Sequence, residues 1–260
     1  MDSATLFDVN GKVALVTGGA SGIGTHMTEV LVRAGARVYI ASRKQEALDG
    51  MSSAMEKLGI CQTIQADLAT EDGVLALAEK ITEQEERLHI LVNNAGRAGA
   101  APLGKFPWRS WGSVMDINLT AVFALTQALL PLIRAAASED DPARVVNIGS
   151  VAGIRAIGNS AYSYGASKAA VHHLTRILAI ELAAENITVN ALAPGPFATR
   201  ILSYVTEDED AYKEMAAGVP LGRFGTAADI AGTLLWLTSR AGAYVTGAVI
   251  PVDGGLAAKP

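Results

Sequence analysis

A single cysteine, Cys61, stands in a chain of 260 residues. No internal disulfide can form, and the composition suits a reducing compartment. Aromatic residues make up only 5%, and no Lys/Arg-rich block interrupts a net charge of −5. Nucleic acid, which is bound through basic patches, is therefore not an expected partner. No stretch approaches the roughly 20 uninterrupted apolar residues that a membrane span needs. The opening MDSATLFDVNGK lacks a basic segment followed by an apolar one, so no signal peptide is expected. A cytoplasmic protein with no membrane partner is the expectation. Apolar mass is present in quantity: 50% hydrophobic against 18% charged residues is enough for one sizeable core.

Short apolar runs alternate with longer helical patterns along the whole chain. The strand runs are KVALVT (12–17), RVYIA (37–41), CQTIQA (61–66), HILVNN (89–94), RVVNIGS (144–150), ITVNALA (187–193) and AVIPVDGG (248–255). Helical spacing occupies 22–35, 45–59, about 70–86, about 108–136, 162–184 and about 226–239. Strands apolar on both faces belong to parallel sheets covered by helices. The alternation predicts an α/β, doubly wound, Rossmann-like fold of about seven parallel strands in one domain over 1–260. Two segments break the rhythm. SEDDPA (138–143) reads as a short solvated turn. Residues 194–225 form a long irregular stretch rich in Pro, Gly and acids, a candidate substrate lid.

TGGASGIG (17–24) follows the first strand and opens the first helix. Gly18, Gly22 and Gly24 permit a tight turn and close backbone approach, aiming helix N–H groups at a phosphate. Gly24 is followed by Thr25 and His26 rather than Lys-Ser/Thr, so a triphosphatase P-loop is excluded. Roughly 20 residues further on, an acid would grip the ribose 2′-hydroxyl of NAD, whereas Arg would accommodate the 2′-phosphate of NADP. The residues there are Ala41, Ser42, Arg43 and Lys44. NADP(H) is favoured over NAD(H), with Ser42 and Arg43 expected at the phosphate.

Tyr162 and Tyr164 precede Lys168 in AYSYGASKAA (161–170). Lys168 lies four residues after Tyr164, about 400° of helix, so the two share a face; Tyr162 lies about 600° away and points elsewhere. A phenol titrates near 10, and a nearby ammonium lowers that value. The lysine therefore selects Tyr164 as a general acid. Ser150 ends the preceding strand, where doubly wound sheets place their ligands, and its hydroxyl can hydrogen-bond a substrate oxygen. His172 and His173 fall too far along the helix to join this site, and no metal site is expected. Trp108 and Trp111 read as packing at a helix start, and Glu207–Asp210 as a solvated part of the lid.

TGGASGIG (17–24), ADL (66–68), NNAG (93–96), Asn118 in MDINLTAVF, NIGS (147–150), YGASK (164–168) and PGPFAT (194–199) occur together in one order. In this the chain resembles the short-chain dehydrogenase/reductase family over nearly its whole length. The wording DPARVVNIGSVAGI (141–154) further resembles the β-ketoacyl reductases of rhamnolipid and fatty-acyl synthesis in bacteria. The resemblance implies a catalytic set of Asn118, Ser150, Tyr164 and Lys168, with Asn118 holding a helix kink and an ordered water. It implies that Lys168 also binds the nicotinamide ribose. Gly18, Ser21, Gly22, Ile23 and Gly24 would hold the cofactor's phosphates, Asp67 and Leu68 would border adenine, and Asn94, Ala95 and Gly96 would shape the pocket. Pro194, Gly195, Phe197 and Thr199 would meet its nicotinamide end. Ser21 stands where NADP-preferring relatives often carry a second cation.

The activity so implied is NADPH-dependent reduction of a ketone, including 3-oxoacyl substrates, to a secondary alcohol. The alternatives are NAD-dependent oxidation of a secondary alcohol, or cofactor binding without turnover. A homotetramer or homodimer is implied, with helices near 108–136 and 162–184 in contact. Ser150 and Tyr164 are 14 positions apart, one more than is common in the family. The loops 97–105, 153–162 and 197–222 are expected to line the substrate pocket. Phe197 and Phe224 point to an apolar or medium-sized ligand.

Overall fold

The computed structural model describes residues 3–156, 158, 160–199, 202, 205 and 207–259. Its strands are β1 (Val13–Thr17), β2 (Arg37–Ser42), β3 (Cys61–Gln65), β4 (Ile90–Asn93), β5 (Ala143–Ile148), β6 (Ile187–Pro194) and β7 (Val249–Val252). They form a seven-stranded sheet in the order β3-β2-β1-β4-β5-β6-β7, parallel throughout. The helices are α1 (Ser3–Leu6), α2 (Ile23–Arg33), α3 (Gln45–Met55), α4 (Glu71–Gln84), α5 (Trp108–Met115), α6 (Ala121–Ala136), α7 (Tyr162–Leu182), α8 (Glu209–Ala217) and α9 (Ala227–Thr238).

The period-2 geometry of a strand, with a helical layer on each face of the sheet, explains why β1 is buried at every position. Val13 and Leu15 join a core with Leu77 of α4, Leu129 of α6 and Leu178 of α7. Ala14 and Val16 face the opposite layer, with Leu31 of α2, Leu48 of α3 and Leu234 of α9. Each fully buried aliphatic side chain contributes about 1.5–3 kcal/mol. The edge strands β3 and β7 are less buried. Pro251, which has no N–H for a further neighbour, sits on β7.

The chain runs outward from β1 through β2 and β3, then returns to place β4 on the other side of β1. At such a reversal the loops leaving the two central strands diverge and open a crevice at their carboxyl ends. The glycine turn leaves β1 there, and NNAG (93–96) leaves β4 beside it.

Three segments differ from the sequence expectation. The helix expected over 108–136 is α5, a π-helical turn at Asp116–Thr120, and α6. A π turn accommodates one extra residue and offsets the two halves. Among the described residues, Trp108–Ala136 is the one helical stretch long and apolar enough to cross a membrane. A search for unbroken apolar runs misses it because Asp116, Asn118, Gln127 and Arg134 interrupt it. Here Ala121, Leu125, Leu129 and Ile133 pack into the sheet core.

Residues 194–225 are not irregular throughout, because they contain α8. The expected solvated acids Glu207–Asp210 partly build its start. Asp208 accepts hydrogen bonds from the N–H groups of Asp210 and Ala211 at 3.0 Å each, while Glu209 and Asp210 favour the helix N-terminus. The SEDDPA turn is likewise anchored: Asp141 pairs with Lys12 at 2.7 Å and with buried Arg144 at 3.1 Å.

Candidate active site

The floor of the crevice is the turn after β1. Gly18 has φ 65° and Gly22 φ 55°, left-handed conformations that glycine adopts without strain. A Cβ on Gly24 would collide with the Gly18 carbonyl and come within 2.7 Å of Asn94 Nδ2. Among the described residues no side chain caps α2, and Thr199 lies 3.5 Å from where a Gly22 Cβ would be. Ser21 is exposed, its carbonyl accepting from Gly24 N–H at 3.1 Å, and Ile23 begins the helix. An uncapped helix N-terminus behind a glycine turn fits a dinucleotide pyrophosphate.

Asn94 stitches the loop after β4 to this turn. Its Nδ2 donates to the Thr17 carbonyl at 2.8 Å and the Gly18 carbonyl at 3.1 Å. Thr17 Oγ1 accepts from the N–H groups of Asn94 and Ala95 at 2.9 and 3.0 Å. Beyond Gly96, the fully buried Asn118 of the π turn accepts from Arg97 N–H at 2.9 Å. Its Nδ2 donates to the Arg97 carbonyl and to Ser167 Oγ, each at 3.0 Å. Asn118 thus locks the β4 loop to α7. Ser167, which in turn donates to the Tyr164 carbonyl at 2.8 Å, and Thr17 escaped the sequence reading although both lie inside the quoted motifs.

Ser150, Tyr164 and Lys168 come together beside this lock. Ser150 follows β5, 7% exposed, its Oγ accepting from Ala152 N–H at 3.2 Å. Lys168 is buried; its Nζ donates to the Ile148 carbonyl at 2.7 Å and lies 5.7 Å from the centroid of the Tyr164 ring. Burial pushes its ammonium down to about 8. Tyr164 was expected to be pulled down by this lysine. Instead burial pushes the phenol above its ordinary value, and only the hydrogen bond with Ser150 opposes that. Desolvation acts on both groups at once: it weakens the lysine's charge and disfavours the phenolate. A phenol held in its protonated form can give a proton to an oxygen placed between it and Ser150.

The remaining predicted residues surround this centre. Ser42 closes β2 and its Oγ accepts from Lys44 N–H at 3.4 Å. The Arg43 carbonyl accepts from Gln65 at 3.0 Å, while among the described residues neither Arg43 nor Lys44 enters a salt bridge. Asp67 is exposed and accepts from Ala69 N–H at 3.1 Å; Leu68 is buried. Pro194 ends β6, and Gly195 lies so close to Asp253 that a Cβ would approach its Cα to 2.7 Å.

The rings expected to wall the pocket are turned inward instead. Phe197 is buried in the core beneath Gly225, and Phe224 stacks on Tyr212 at 4.3 Å. Tyr162 is the exposed phenol, edge-on to Phe106 at 5.8 Å, with Phe106 edge-on to Trp111 at 6.3 Å. Trp108, expected to pack, is 88% exposed. His172, expected away from the site, is buried against Ser150. Of the loop 153–162, residues 157 and 159 lie outside the described residues, as do 200, 201, 203, 204 and 206 of the lid.

Comparison with known proteins gives a consistent placement. A family model described as "Enoyl-(Acyl carrier protein) reductase" matches residues 18–257. A rhamnolipids biosynthesis 3-oxoacyl-[acyl-carrier-protein] reductase of Pseudomonas aeruginosa is 48% identical over 249 residues, covering 96% of this chain and 97% of the relative. The short-chain dehydrogenase/reductase PhomF of Diaporthe leptostromiformis is 32% identical over 274 residues, covering 97% and 94%. The active-site complex of Pseudomonas aeruginosa RhlG with NADP matches with a TM-score of 0.95 at 47% identity, over 97% of this chain and 99% of that one. With a matching model across almost its whole length and relatives of this similarity, the chain belongs to the short-chain dehydrogenase/reductase family.

Proposed function

We propose that the protein reduces a ketone, of the 3-oxoacyl or a related carbonyl class, to a secondary alcohol with NADPH. The observation that carries this reading is the gathering of Ser150, Tyr164 and Lys168, the lysine 5.7 Å from the phenol ring, beside a glycine turn that fits a dinucleotide. When bound, the reduced nicotinamide supplies a hydride to the carbonyl carbon. Ser150 holds the carbonyl oxygen, and Tyr164 donates its proton to that oxygen as negative charge gathers there. The Lys168 ammonium favours the phenolate left behind and holds the nicotinamide ribose. Asn118 keeps the loop after β4 against α7.

The turn at Gly18, Ser21, Gly22, Ile23 and Gly24 holds the pyrophosphate, and Ser42 with the unpaired Arg43 takes the 2′-phosphate. Asp67 and Leu68 border the adenine, Asn94 to Gly96 the ribose side, and Pro194, Gly195, the backbone at Phe197 and Thr199 the nicotinamide end. Residues 194–225 cover the substrate. The 3-oxoacyl reductase activity for which the Pseudomonas aeruginosa relative is named and the NADP in the RhlG complex support the same reading.

Oxidation of a secondary alcohol with NAD is the second reading, and the exposed, uncharged Ser21 favours it, since it adds no cation near the 2′-phosphate. One assay series separates the two: 3-oxoacyl thioesters and simple ketones with NADPH and NADH, for wild type and Tyr164→Phe. The expected outcome is a kcat/KM higher with NADPH, and a loss of about 10²–10⁴-fold on removal of the phenol. Full activity in Tyr164→Phe would show the assigned acid to be wrong, and a strong NADH preference would favour the second reading.

A further inference from the structure

α7 carries a second buried polar side chain one turn beyond Lys168. His172 is 4% exposed, and its Nε2 accepts a hydrogen bond from the N–H of Ser150 at 3.4 Å. The ring also lies against the backbone of Gly153. An imidazole nitrogen that accepts from an N–H carries no proton, so the single ring proton sits on the other nitrogen. The ring lies in a slot built for it. A Cβ on Gly149 would run into its Nε2 and Cδ2, and one on Gly153 would come within 2.8 Å of its Cε1. Both glycines flank Ser150 in sequence, one on the strand side and one at the end of the 3-10 turn Val151–Gly153.

The imidazole is therefore held between two backbone points on either side of the reacting hydroxyl. Burial pushes its pKa down to about 4, opposed by the Gly153 backbone and aided by Lys168 and Arg176 on the same helix. It stays neutral across the working range, as this bonding pattern requires. Nothing in the proton-transfer scheme above uses it.

We infer that His172 is a positioning residue, clamping the Ser150 backbone so that the serine hydroxyl points at the Tyr164 phenol and at the substrate oxygen. The inference rests on the proposed reduction and concerns the same site. A small displacement of a reacting group costs up to about 10²-fold in rate, and an apolar side chain at 172 would leave the Ser150 N–H buried and unpaired.

The test compares His172→Gln, which keeps an acceptor and a donor, with His172→Met, which fills the slot without either. Ser150→Ala and the double variant Ser150→Ala/His172→Met complete the set, with NADPH binding followed by fluorescence as proof of folding. His172→Met is expected to lower kcat about 10–100-fold with NADPH affinity unchanged, and Gln to restore most of it. In the Ser150→Ala background the Met substitution should cost less than a further twofold, because residues acting as a unit are not additive. If Met does not fold there, His172→Asn, whose shorter amide falls short of the Ser150 N–H, replaces it with the same expectation. Equal losses in Gln and Met, full activity in Met, or additive losses in the double variant would overturn the clamp. Full activity in Ser150→Ala would instead overturn the site reading beneath it.

Discussion

Lys168 and Tyr164 are drawn in opposite directions by the same burial, one down to about 8 and the other upward. The sign for activity follows. The ammonium is present below about pH 8 and lost as pH rises through that value, while the phenol keeps its proton. NADPH-linked kcat/KM should therefore fall above about pH 8. Arginine stays charged far beyond that range, so Lys168→Arg, though slower, should show no such limb in a pH–rate profile. A limb unchanged in that variant would assign it to another group. Which tyrosine stands beside Lys168 was legible in the sequence, because helical phase is a local property. The direction of its shift was not, because burial is a property of the folded chain that YGASK by itself does not contain. His172 was misplaced for the same reason: phase set it one turn past Lys168, but the slot between Gly149 and Gly153 belongs to another element.

Elements were legible where one period ran unbroken. The seven strand runs and the glycine turn were read correctly, since β1 to β7 are short stretches, most of them apolar, between helical patterns. The π turn was not, because the apolar spacing on either side of Asp116–Thr120 continues and hides the extra residue. α8 was hidden by its charges, which mask the few apolar positions it turns inward, Ala216 among them. The glycine turn also carries a prediction. Gly24→Ala would drive a methyl into the Gly18 carbonyl and Asn94. Overpacking of this kind costs about 1–3 kcal/mol, and here it also spreads the turn from the crevice. Denaturant unfolding should show the lost stability, and NADPH titration an affinity at least tenfold weaker. An alanine variant that binds as wild type would mean that the turn does not face the cofactor.

At the scale of the molecule, α6 and α7 cover one face of the sheet yet leave large apolar side chains outside. Phe123 is 45% exposed, Ile177 42% and Ile180 81%. Exposed side chains of this size on helices covering one face are what a subunit interface would bury, consistent with the homotetramer or homodimer expected from the family resemblance. Ile180→Glu should shift the mass measured by light scattering toward that of the 26.9 kDa chain. An unchanged multiple would place the contact elsewhere, and a wild-type protein of monomer mass would remove it. The reversal of strand order between β1 and β4 also divides the chain by inheritance. The residues proposed to grip the adenosine and pyrophosphate, from Gly18 to Leu68, are all encoded ahead of the loop that Asn118 fastens. Those proposed to handle the carbonyl, Ser150, Tyr164 and Lys168, come after it. Mutations that retune the coenzyme and mutations that retune the ketone therefore fall on separate stretches of gene. The two preferences can drift or be recombined with little mutual interference.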